Sequence, residues 1–253
     1  MREILGRRRK LSLRRGGRSA VLTAALAYAT EWQWPVLPGV GLRPGGRPRE
    51  CGCPQPDCVV PGAHPFDPGL LAATTDARMV RWWWTNRPDA PVVLATGGKA
   101  PCAVSLPAVA GARALAAFDR AGVRIGPVVA TPTRWSLLVA PYSLEVLGEL
   151  LHSQDWVPGS LRFHGEGGYV VLPPSPTATG RVRWERPPVQ PGQDGPEGRT
   201  AFGGRVGAAV ALRVGRTTGQ PAARPWLPDV ATVVDVLVEE SAGTPGGGSK
   251  LAY

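Results

Sequence analysis

Three cysteines and one histidine fall in a single short stretch, Cys51-x-Cys53-x4-Cys58-x5-His64. Thiolates and imidazole are ligands that zinc prefers, and four of them complete a tetrahedron. A closed set of four protein ligands leaves no open coordination position, so the spacing points to a structural ion rather than a catalytic one. Pro54, Pro56, Pro61, Gly62 and Pro65 lie among the ligands. They favour the tight turns that a metal knuckle needs, in a stretch with little apolar content to hold it otherwise. A disulfide framework drawing in Cys102 is the competing arrangement. An intracellular setting weighs against it, and Cys51 and Cys53 are too close to bridge comfortably.

The second chemistry written in the chain is phosphate binding. Residues 1–18 carry Arg2, Arg7, Arg8, Arg9, Lys10, Arg14, Arg15 and Arg18 against Glu3 alone, most of a net charge of +10. Such a block repels itself, stays extended, and can bind DNA, RNA or an anionic membrane surface. A solvated tail without a specific partner, or a start codon placed too early, explains the same residues. Arg134 beside Trp135 could contact phosphate. Trp82, Trp83 and Trp84 could stack on bases or pack in the core, and adjacent helical positions that point different ways favour packing for most of them. His164 could be a polar group of a site or a turn residue. Thr96-Gly97-Gly98-Lys99 lacks the full pattern of a phosphate loop.

These residues need a scaffold. With 33 glycines, 28 prolines and 43% hydrophobic residues, the composition predicts a loop-rich core with disordered flanks. Apolar residues at 21, 22, 25, 26 and 29 share one helical face, which suits a core helix over 19–32 better than an export signal. No stretch reaches the roughly 18 apolar residues of a membrane span, and the chain is expected to be soluble and cytoplasmic. A short strand follows at 34–38. Asp76 to Arg87 reads as a helix capped by Thr75 or Asp76 and stopped by Pro88. Strands are expected at 91–95 and 103–106. Val109 to Ala121 is an amphipathic helix closed by Gly122. Residues 128–131 and 135–140 read as one hairpin. Residues 143–153 form a helix with Ser143 as N-cap. Residues 161–163 and 169–172 read as a second hairpin around His164 to Gly168, and 182–184 as a last strand. Val230, Val233, Val234, Leu237 and Val238 mark one face of a helix over 226–241. The class is α+β, that is, mixed α/β.

In order along the chain, ALAYATEWQWPVLPG at 25–39, the cluster ending in PGAHP at 61–65, TTDARMVRWWWTNRPDAPVVLATG at 74–97 and HGEGGYVVLPPS at 164–175 resemble the bifunctional DNA primase/polymerase (Prim-Pol) domain. That family belongs to the archaeo-eukaryotic primase superfamily. The resemblance covers about residues 20–185. It implies a mixed sheet with flanking helices, related to RNA-recognition-like cores, and DNA copying or primer synthesis with two divalent metal ions. Some members carry an inserted zinc-binding loop, which would correspond to 47–66 here. The organisation expected is therefore a basic tail at 1–18, a Prim-Pol-like domain at 19–185, a Pro/Gly/Arg-rich linker at 186–225, a helix at 226–241 and a disordered end at 242–253.

Residue by residue, the resemblance breaks at the chemistry. Nucleotidyl transfer needs carboxylates to hold Mg²⁺ or Mn²⁺. The family places Asp-x-Asp or Asp-x-Glu, followed by proline, on the strand that here reads Ala103-Val104-Ser105-Leu106-Pro107, so Val104 and Leu106 replace the acids. Arg162 stands in the place of the third acid, and Ser136 in that of the nucleotide-contacting histidine. No acid lies between Asp89 and Asp119, so no shift of register restores the pair. The expectation is a domain that keeps its scaffold and a structural zinc at Cys51, Cys53, Cys58 and His64, lacks the catalytic Mg²⁺ or Mn²⁺, and acts by binding nucleic acid or a protein partner. Arg7, Arg8, Arg9, Lys10, Arg14, Arg15, Arg134 and His164 are the candidate nucleic-acid contacts. An active primase/polymerase and a zinc-stabilised interaction module without nucleic-acid binding are the alternatives.

Overall fold

The computed structural model describes residues 20–45, 50–189 and 224–242. The basic tail, with Arg7, Arg8, Arg9, Lys10, Arg14 and Arg15, lies outside the described residues, as do nearly all of the linker and residues from 243 on.

The expected elements form from local signals. Helix α1 (20–31) buries Val21, Ala25, Tyr28 and Ala29, with Leu22 and Leu26 packed beside them, which is the face read from the sequence. Its last turn, Ala27–Glu31, widens to a π-helix. Gln33, at a φ of +57°, then turns the chain into β1 (Val36–Pro38). Helix α2 (Ala77–Asn86) is capped by Asp76, whose carboxylate accepts the Met79 N–H at 2.8 Å. After β2 (Val92–Ala95) and β3 (Cys102–Pro107), helix α3 (Ala108–Ala121) ends at Gly122, whose left-handed φ of +67° a side chain would strain. Strands β4 (Val128–Ala130) and β5 (Arg134–Val139) make the expected hairpin. Ser143 caps α4 (Leu144–His152) through the Val146 N–H. The chain then gives β6 (Arg162–His164), β7 (Tyr169–Leu172), the short ribbon of β8 (Pro176–Thr177) and β9 (Gly180–Arg181), β10 (Arg183–Arg186), and finally α5 (Val230–Ala242). No helix among the described residues is long and apolar enough to cross a membrane.

The strands form two main antiparallel sheets, ordered β1-β2-β7 and β10-β4-β5-β3-β6. This corrects the second expected hairpin. Strands β6 and β7 do not pair with each other: β6 adds to β3, and β7 adds to β2. The turn between them is held by another segment. Thr96 donates its hydroxyl to the Gly165 carbonyl at 2.6 Å and its N–H to the Gly168 carbonyl at 3.0 Å. Gly97 presses so closely on this turn that a Cβ would lie 2.4 Å from the Glu166 Cα. The turn thus carries the chain from one sheet to the other.

The five-stranded sheet is covered on both faces. Cys102, Val104 and Leu106 of β3, Val128 and Ala130 of β4, and Trp135, Leu137 and Val139 of β5 join one apolar cluster with α3 and α5. Ala103, Val129 and Leu138 belong to the other cluster, which includes α1, α2 and the three-stranded sheet. Strand alternation therefore assigns every residue of β3 a face. The helix expected at 226–241 is α5, and all five of its predicted apolar residues are buried in the same cluster as α3. Each such aliphatic side chain contributes about 1.5–3 kcal/mol on full burial, so α5 is an integral layer of the fold.

Candidate functional site

The four predicted metal ligands converge. The Sγ atoms of Cys51, Cys53 and Cys58 and a ring nitrogen of His64 all lie within 4.8 Å of one another. His64 Nε2 is 3.4 Å from both Cys51 Sγ and Cys58 Sγ. A tetrahedral ion with bonds of about 2.3 Å to sulfur and about 2.0 Å to nitrogen sets that edge near 3.5 Å. The second contact layer suits a ligand role as well. His64 Nδ1 is 2.9 Å from the Pro65 carbonyl, which fixes the proton there and leaves Nε2 free to coordinate. The Gly62 N–H donates to Cys51 Sγ at 3.2 Å. All four cysteines are free thiols, and Cys102 sits apart, fully buried in β3. The disulfide arrangement is therefore not the one formed.

The electrostatics of the cluster call for a cation. Burial pushes the Cys51 thiol up, but the Cys53 and Gly62 N–H groups outweigh that and bring it to about 6. Burial, with the neighbouring Cys51 and Cys53, pushes Cys58 up to about 11. Three thiols in one pocket resist ionising together unless a positive ion joins them. Such an ion would close the loop onto the fold. The His64 carbonyl accepts from the Val40 N–H at 2.9 Å, Gly52 donates to Gly41 at 3.0 Å, and Pro61 accepts from Ala178 at the β8–β9 ribbon.

The second site lies on β3. Across the five-stranded sheet, Arg162, Ser105, Ser136, Val129 and Trp184 stand in one cross-strand row on the face opposite Val104 and Leu106. Val104 and Leu106 are themselves fully buried in the apolar cluster under α3 and α5. The opposite face of the strand presents Ala103, which is buried in the other apolar cluster, and Ser105, which is buried beside it. Ser105 Oγ lies 2.9 Å from His164 Nε2. Arg134 donates to the Ser105 carbonyl at 2.8 Å, to Ser105 Oγ at 3.2 Å and to the Ser160 carbonyl at 2.8 Å. Burial and the nearby Arg162 bring Arg134 down to about 10, so it stays charged at neutral pH. Burial, then Arg134 and Arg162, pull His164 down to about 4, so it is neutral there.

The structure thus brings Arg134, Arg162 and His164 together, and it adds Ser105, which sequence reasoning passed over. The signal was available in the strict alternation of β3, but the choice of face depends on α5, which lies far along the chain. Glu166 is exposed on the turn after His164. Among the described residues, the cysteine–histidine set is the only group of three or more metal-ligating side chains, and no carboxylate cluster exists. Of the tryptophans, Trp83 and Trp84 are buried and Trp82 is 61% exposed.

A family model described as bifunctional DNA primase/polymerase, N-terminal, matches residues 25–197. No curated protein and no solved structure matches the chain.

Proposed function

The chain belongs to the family of bifunctional DNA primase/polymerase N-terminal domains, and on that premise we propose that it is a catalytically inactive member that acts by binding nucleic acid. The observation that carries this reading is the replacement of a carboxylate site by a basic one. Two-metal nucleotidyl transfer requires acids at the attacking hydroxyl and the triphosphate. Strand β3 offers none in either register: Val104 and Leu106 face the apolar core under α3 and α5, and Ala103 and Ser105 lie buried on the opposite face. A divalent cation brought there would meet Arg134 and Arg162 instead of ligands. The catalytic Mg²⁺ or Mn²⁺ of the family therefore does not fit these residues.

The same side chains favour an anion. Arg162 is exposed opposite Ser105, and Arg134 keeps its charge. A phosphate could accept from both. The basic tail, with Arg7, Arg8, Arg9, Lys10, Arg14 and Arg15, would add non-specific attraction. In this reading, zinc at Cys51, Cys53, Cys58 and His64 is a folding staple rather than a reagent. Free thiols at a metal site suit a reducing compartment, which supports a cytoplasmic location.

The test is binding of fluorescein-labelled single- and double-stranded DNA across a salt series. Binding that weakens steeply as salt rises supports the proposal. Affinity near zero even at about 50 mM salt contradicts it and favours a zinc-stabilised interaction module.

A further inference from the structure

Helix α2 leaves one tryptophan without a place in the core. Its sequence, ARMVRWWWTN, buries Val80, Trp83 and Trp84. Trp84 donates its indole N–H to the Ala90 carbonyl at 2.9 Å, and Trp83 meets Trp84 edge-on at 6.4 Å. Trp82 faces solvent, 61% exposed, with Met79 44% exposed one turn before it. Arg78 and Arg81 are exposed on the same side. Arg78 is four residues before Trp82 and three before Arg81, so its side chain neighbours both on the helix surface, with Arg81 and Trp82 flanking it in the next turn. The helix itself contains no acid. Among the described residues neither Arg78 nor Arg81 makes an ion pair, whereas Arg87 is tied to Asp67.

We propose that Arg78, Arg81 and Trp82 form a platform for single-stranded nucleic acid, separate from the basic site at Ser105. The indole offers a free face on which an unpaired base can stack. The two guanidinium groups complement the phosphates on either side of that base. Stacking on an aromatic side chain is worth about 1–3 kcal/mol per base and is tolerant of sequence. A duplex keeps its bases stacked on each other, so the platform selects the single strand. Two arginines without carboxylate partners also suit a polyanion better than an apolar protein surface, which would have to desolvate both charges.

The inference rests on the nucleic-acid-binding reading above, and the experiment separates the two. Fluorescence anisotropy with labelled oligo(dT) and with a labelled duplex would be read on the full chain, Trp82→Ala, Trp82→Phe and Arg78→Glu/Arg81→Glu. Trp82→Ala should bind oligo(dT) about tenfold more weakly, bind the duplex as the wild type does, and melt at the wild-type temperature. Trp82→Phe should recover most of the lost affinity. The double arginine variant should weaken binding and flatten the salt dependence by about two phosphate contacts. Oligo(dT) affinity unchanged in Trp82→Ala, or lost equally for both probes, overturns the platform and leaves the nucleic-acid-binding reading standing. A wild type that binds neither probe overturns both.

Discussion

Ser105 Oγ on β3 lies 2.9 Å from His164 Nε2 on β6, the edge strand beside it in the five-stranded sheet. Arg134 donates to the same hydroxyl from the other side. The hydroxyl can therefore accept from arginine and give its own proton to the imidazole, which requires an unprotonated Nε2. The serine is thus held by hydrogen bonds between a cation and a neutral ring.

The first prediction concerns acid stability. His164 is held down to about 4 by burial and then by Arg134 and Arg162, against about 6.5 in an unfolded chain. Between those values the unfolded state binds more protons, so stability falls as pH drops from about 6.5 towards 4 and is fully present above that window. The loss is on the order of 2–3 kcal/mol. Urea titrations of the wild type and His164→Gln over this range check it. The variant should lose that part of the slope, and equal slopes would remove His164 from the account.

The second prediction tests the two faces of β3. Val104→Asp places a charge in the fully buried cluster shared with α3 and α5, at a cost of about 3–5 kcal/mol. Ser105→Asp faces Arg134 and Arg162, which offset its desolvation, and should cost markedly less. Denaturant midpoints of the two variants decide between this orientation and its reverse.

The third prediction is zinc content. Protein purified under reducing conditions should carry one zinc per chain by elemental analysis. A strong chelator, or Cys51→Ser, should lower the melting temperature, with a stabilisation of about 4 kcal/mol lost if free zinc stands at about a thousand times its dissociation constant. Metal-free protein with unchanged stability would contradict the staple.

Much of this was legible locally. Asp76 and Ser143 as caps, Gly122 as a stop, the apolar faces of α1 and α5, and the convergence of Cys51, Cys53, Cys58 and His64 depend on neighbours within a few turns of chain. The partners of β6 and β7 do not. Both strands flank a glycine-rich turn that reads as a hairpin, and only the grip of Thr96 and Gly97 on that turn, about seventy residues away in sequence, splits them between sheets. Likewise, which face of β3 carries the Ser105 site is set by where α3 and α5 pack. The π-turn at Ala27–Glu31 leaves no mark in the hydrophobic pattern.

The fourth prediction concerns α5. Leu237 is fully buried, so Leu237→Ala should cost about 2–5 kcal/mol. Truncation before residue 226 should expose the cluster beneath α3 and lower solubility. A truncated chain as stable as the full one would show that α5 is an accessory.

The central claim is that a basic site around Ser105 stands in place of nucleotidyl-transfer chemistry. Its most direct test is incorporation of labelled dNTP on a primed template, with Mn²⁺ supplied and enzyme in excess over template. The account predicts no product above a blank without protein. Template-dependent extension that is lost on Ser105→Ala or Arg162→Ala would contradict it.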